Sequence, residues 1–83
     1  MVDLSDEKLK ELKDSIPKKI GNRVRFFRKE KGITQTKLAQ SIGKDRQYLY
    51  KIEKGIVTPN IVTLSIISIA LEVSLQDFFD IEI

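Results

Sequence analysis

The chain contains no cysteine, no histidine and no tryptophan among its 83 residues. Lack of cysteine excludes disulfides, thiolate metal sites and a thiol nucleophile. Lack of histidine removes the commonest general base and another common zinc ligand. An enzyme is therefore not expected, and no cofactor or metal is implied. A long hydrophobic run is missing too: the most apolar stretch, residues 61–71, is interrupted by Thr63, Ser65 and Ser68 and falls well short of the ~20 residues that span a bilayer. Residues 1–20 carry charges throughout and have no apolar signal-peptide core, so no membrane association is expected and the cytoplasm is the expected address. Basic residues are absent from the whole of 56–83.

Apolar residues make up 41% of the chain and charged residues 33%, which suits one soluble globular domain. For this length neither a separate sensor domain nor a small-molecule effector is expected. A core this small, without disulfides, must be reinforced by helix packing or by a second subunit.

The formal net charge of +3 is unevenly distributed. Residues 1–19 balance five lysines against five acids, residues 20–55 carry ten basic residues against Glu30, Asp45 and Glu53, and residues 56–83 carry only four acids. One part of the fold thus faces a polyanion while another avoids it, as expected of a nucleic-acid binder.

The hydrophobic periodicity is helical throughout. Ser5 is a good N-cap, Asp6 and Glu7 suit a first turn, and Leu9, Leu12 and Ile16 form a narrow stripe. These features predict a short helix over 5–16. Pro17 is expected to end it and to open a second helix, with Ile20, Val24 and Phe27 inward and Gly32 as its terminator. Thr34 caps a helix carrying Leu38, Ala39 and Ile42. After the Gly43-Lys44 turn, Asp45 caps another with Leu49 and Ile52 inward. Two short helices around a glycine-containing turn form a helix-turn-helix layout, and its polar face carries Arg46, Gln47, Tyr48, Tyr50, Lys51 and Lys54. Asn60 caps a helix over 60–71, and Ser74 a last one over 75–80. Only residues 80–83 alternate in the manner of a strand, so the fold class is all-α.

The segments Gly32-Ile33-Thr34-Gln35-Thr36-Lys37-Leu38-Ala39, Ile42-Gly43, Ile52-Glu53-Lys54-Gly55, Pro59-Asn60 and Leu64 through Val73-Ser74-Leu75 closely resemble the Cro/C1-type helix-turn-helix family of phage and bacterial repressors. The resemblance covers about residues 20–79. It implies a compact five-helix domain like that of lambda repressor, here with an extra short N-terminal helix in the extension 1–19 and a C-terminal tail, 80–83. The family's base-contacting positions fall on Arg46, Gln47 and Lys51, whose side chains suit guanine or adenine edges in the major groove. Gln35 matches a position that touches a phosphate at the start of the first motif helix, and Thr34, Tyr48, Lys54 and the backbone near Thr58 look like further phosphate contacts. For Tyr48 partly buried packing is the alternative. Arg23, Arg25, Lys29 and Lys37 could steer approach to DNA, but plain surface charge is the favoured reading for any single one of them. Arg28 and Glu53 match family positions that imply a largely buried ion pair.

The chain departs from the family where the outer face of helix 60–71 carries Val62, Ile66, Ile69 and then Val73. A helix apolar on two faces must be covered on two sides. Either the extension covers the second face or a second subunit does. The neighbouring Phe78, Phe79, Ile81 and Ile83 favour a homodimer. The function implied is a homodimeric regulator, more readily a repressor than an activator, binding double-stranded DNA at a palindromic operator. The alternative is an antitoxin or bridging module that uses the same fold to hold a protein partner.

Overall fold

The computed structural model describes residues 1–83 as five helices, α1 (Asp6–Glu30), α2 (Gln35–Ser41), α3 (Arg46–Glu53), α4 (Ile61–Leu71) and α5 (Leu75–Phe78). No helix is long and apolar enough to cross a membrane. The alternating residues 80–83 form no strand, and α5 ends at Phe78, two residues before the expected end.

Each helix begins at its expected cap. The side chains of Ser5, Thr34, Asp45 and Asn60 accept from the backbone N–H of Lys8, Lys37, Tyr48 and Thr63, at 3.1, 3.0, 2.8 and 2.9 Å. At Ser74 the backbone N–H donates to Asp77 Oδ2 at 3.0 Å. Such caps satisfy the N–H groups that a helix leaves without intrahelical partners.

The expected break at Pro17 does not occur: residues 6–16 and 17–30 form one 25-residue helix with Pro17 inside it. Pro17 has no N–H for the carbonyl of Lys13, a defect that costs roughly 3 kcal/mol relative to alanine in a helix interior. The apolar stripe explains why the helix nonetheless continues. Leu9, Leu12, Ile16, Ile20, Val24 and Phe27 recur at three- and four-residue spacing straight through the proline. Ile20 and Val24 are buried in the core and Ile16 packs against it, so breaking the helix would forfeit that burial. The N-terminal extension is therefore the first half of α1 rather than a helix of its own.

Residues from all five helices build the core: Ile20 and Val24, Leu38 and Ala39, Leu49 and Ile52, Leu64, Ile67 and Leu71, and Phe78. α1 crosses α3 at Gly21, where an added Cβ would run into the carbonyl oxygen of Ile52 and stand 2.7 Å from that of Glu53. Only glycine permits so close an approach of two backbones. Arg23 ties the other end of the fold together. Its Nε donates to Asp77 O at 3.0 Å and its guanidinium lies 4.8 Å from the Phe27 ring centroid. This side chain, open in sequence to steering DNA or to plain surface charge, is a strut between α1 and α5.

The extension does not cover the second face of α4. Leu9, Leu12, Ile16 and Pro17 instead border a groove beside Thr58, Pro59, Ile61 and Phe79. Val62, Ile66 and Ile69 remain 63%, 45% and 75% exposed. Val73 is half-buried against the core.

Candidate nucleic-acid interface

Leu49, Ile52 and Glu53 point α3 into the protein, which leaves the opposite flank to Arg46, Gln47, Tyr50 and Lys54, all exposed, and Lys51, half-buried. α2 supports α3 from behind through Leu38 and Ala39. Gly43, with φ of +72°, makes the left-handed turn between α2 and α3 that glycine adopts without penalty.

A buried polar network holds this arrangement. Arg28 on α1 donates through Nε to Glu53 Oε2 at 2.6 Å and through Nη2 to Oε1 at 3.0 Å, while its Nη1 donates to the Ile33 carbonyl at 2.8 Å. Gln35 Nε2 adds a third bond to the carboxylate, at 3.0 Å to Oε1. The Glu53 side chain is 1% exposed, and no buried side-chain nitrogen or oxygen in the chain lacks a partner. One carboxylate thus fixes α1, α2 and α3 relative to one another.

Above this network lies a cleft of about 300 Å³ between α1 and α3, rimmed by Asn22 and Arg25 on one side and Arg46, Tyr50 and Lys54 on the other. Asn22 on this rim is not one of the positions to which the family resemblance gives a contact. Of the ten basic residues in 20–55, only Arg23 and Arg28 come within salt-bridge distance of a carboxylate. The cations on the rim therefore have no internal counter-ion, and their field adds up over the cleft and the exposed flank of α3.

The other expected contact residues are dispersed. Thr34 is exposed at the start of α2 and its hydroxyl accepts from Lys37 N. Gln35 has one amide N–H engaged with Glu53, which leaves its second N–H without a protein acceptor. Tyr48 is half-buried and packs against the core, with Lys44 Nζ 5.0 Å above its ring. Thr58 is exposed beside the N-terminal half of α1. Among the residues assigned to a subunit interface, Phe79 and Ile83 are exposed and Ile81 is half-buried. Phe78 is removed from that group: it is completely buried and stands 6.1 Å, centroid to centroid, from Phe27. Its apolar ring fills the core between α1 and α5, where no partner could reach it.

Comparison with known proteins agrees with this geometry. The HTH-type transcriptional regulator SlrR of Bacillus subtilis (strain 168) is 42% identical over 64 residues, 76% of this chain and 42% of the relative. The ImmF control region 10 kDa protein of Bacillus phage phi105 is 41% identical over 59 residues, 71% of this chain and 66% of that protein. The chain thus spans only part of the length of both. Among solved structures, the restriction-modification controller protein C.AhdI from Aeromonas hydrophila superposes with a TM-score of 0.75 at 31% identity, covering 78% of this chain and 94% of the other. A helix-turn-helix family model matches residues 24–78, from the last third of α1 to the end of α5. The chain belongs to the helix-turn-helix family.

Proposed function

We propose that the chain is a sequence-specific, double-stranded-DNA-binding transcription regulator that acts as a homodimeric repressor on a palindromic operator. The observation that carries this reading is the flank of α3: Arg46, Gln47, Lys51 and Lys54 project from one rigid helix without a carboxylate partner. An α-helix fits the major groove, and side chains on its N-terminal half reach base edges. Arg46, Gln47 and Lys51 read bases, while Thr34, Gln35, Lys54 and the Thr58 backbone hold phosphates, and Tyr48, half-buried against the core beneath Lys44, is a packing residue. SlrR is a transcriptional regulator by name, which supports the same class of activity here.

Selection from a random DNA pool tests the proposal directly: an enriched inverted repeat is expected, and no enrichment would overturn it. Reading and positioning residues then separate. Gln47→Ala should weaken operator binding by about 1–3 kcal/mol and relax preference at one base pair per half-site. Lys54→Ala should weaken operator and scrambled DNA alike and reduce the salt slope by about one unit. An unchanged ratio of operator to scrambled binding in Arg46→Ala, Gln47→Ala and Lys51→Ala would shift the function to a protein-holding module.

A further inference from the structure

We propose that Tyr50 reads the 5-methyl group of a thymine in the major groove, as a fourth specificity residue beside Arg46, Gln47 and Lys51. The inference rests on the DNA-binding reading above. The chain has two tyrosines, and their surroundings differ. Tyr48 is half-buried against the core beneath Lys44. Tyr50 is 40% exposed, and the ring-ring contacts of the chain, which involve Phe26, Phe27 and Phe78, leave it without an aromatic neighbour.

Its position on α3 is the decisive feature. At about 100° per residue, Tyr50 projects about 40° from Arg46 and about 60° from Gln47, one turn further along the helix. These three side chains alone line a shallow hollow on the exposed flank. The same ring also borders the α1–α3 cleft with Asn22, Arg25 and Lys54, so it stands between the base-reading edge and the cation-rich rim. A helix seated in the groove through Arg46 and Gln47 cannot keep Tyr50 away from the bases. The thymine methyl is the apolar feature that the major-groove edges offer to an apolar side chain. Burying it against the ring removes apolar area from water on both partners. Along the helix, Tyr50 lies about 6 Å beyond Arg46, less than two base-pair rises of about 3.4 Å. The thymine is therefore expected within two base pairs of the one that Arg46 contacts.

Replacing thymine by deoxyuridine removes this methyl group and nothing else, which makes the test specific. With the full chain and its selected operator, each thymine is replaced in turn and the affinity measured for wild type, Tyr50→Ala and Tyr50→Phe. At one position per half-site the substitution should weaken wild type about fourfold. Tyr50→Ala should bind the thymine and uracil versions equally, and Tyr50→Phe should keep the wild-type discrimination. The exposure of Tyr50 predicts that both variants melt with wild type, which a thermal scan checks. Wild-type indifference to every methyl, or equal sensitivity in wild type and Tyr50→Ala, would overturn the assignment. So would a Tyr50→Phe protein that loses the discrimination, since the phenol oxygen would then be the contact. Failure of wild type to select any sequence would overturn the DNA-binding reading itself, a separate result obtained before any substitution is made.

Discussion

Glu53 is the carboxylate that joins three helices, and removing its charge leaves Arg28 buried without a counter-ion. Loss of one partner of a buried pair costs roughly 3–5 kcal/mol, a large share of the 5–15 kcal/mol that stabilises a typical domain. Glu53→Gln should therefore lower the midpoint of thermal unfolding by more than about 10 °C, since 1 kcal/mol corresponds to about 4–8 °C in a domain of this size. A variant that melts with wild type would show that the geometry of the amide, without charge, is enough to hold α3. Arg28 and Glu53 could be singled out from the sequence because both stand in recognisable motif positions. Gly21 could not: its requirement comes from the Ile52 and Glu53 carbonyls 31 and 32 positions later, which approach it only once α1 lies across α3. The strut role of Arg23 is illegible for a similar reason. A count of charges cannot reveal that its guanidinium is held by the Asp77 carbonyl.

At the scale of elements, the capping residues make the starts of the helices legible, because the side chains of Ser5, Thr34, Asp45 and Asn60 each accept from an N–H three residues on, and Asp77 accepts from the Ser74 N–H three residues back. Ends are legible where a glycine follows, as at Gly32 and Gly43, both in the left-handed region. The expected end of α4 at 71 holds as well, although the residue that turns there is Glu72, with φ of +58° where glycine or asparagine is usual. Continuity depends on more distant packing. Pro17 is a strong local signal overruled by the stripe that runs past it. The continuity of α1 makes a prediction with a definite sign. Pro17→Ala restores the N–H to Lys13 O and removes a penalty of about 3 kcal/mol, offset in part by the lost contacts of the ring beside Thr58 and Pro59. Urea unfolding should show a net gain of about 1–2 kcal/mol. A loss would mean that the proline ring contributes more to the groove than it costs the helix.

The whole molecule presents two unlike surfaces. The cationic flank of α3 and the cleft beside it suit a polyanion, whereas α4 carries no charged residue from Ile61 to Leu71 and exposes Val62, Ile66 and Ile69. In an isologous pair, residues near the two-fold axis meet their own copies, so a charge there would repel itself. α4 has none to oppose such pairing, and Ile61 carries the apolar surface onward to the groove that includes Phe79. We expect two copies to associate through Val62, Ile66, Ile69 and Phe79, with Ile81 and Ile83 at the edge. That association would set the two α3 helices about 34 Å apart, one turn of DNA. Placing Lys at both 66 and 69 should give a monomer in sedimentation and weaken operator binding sharply, because each half-site would then be bound independently. The exposure of Ile66 and Ile69, 45% and 75%, means that the double variant should still fold, and an unchanged thermal midpoint checks this. If wild type sediments as a monomer at about 50 μM, where even weak specific dimers associate, the apolar face of α4 is not a self-association surface, and the palindromic operator loses its structural basis.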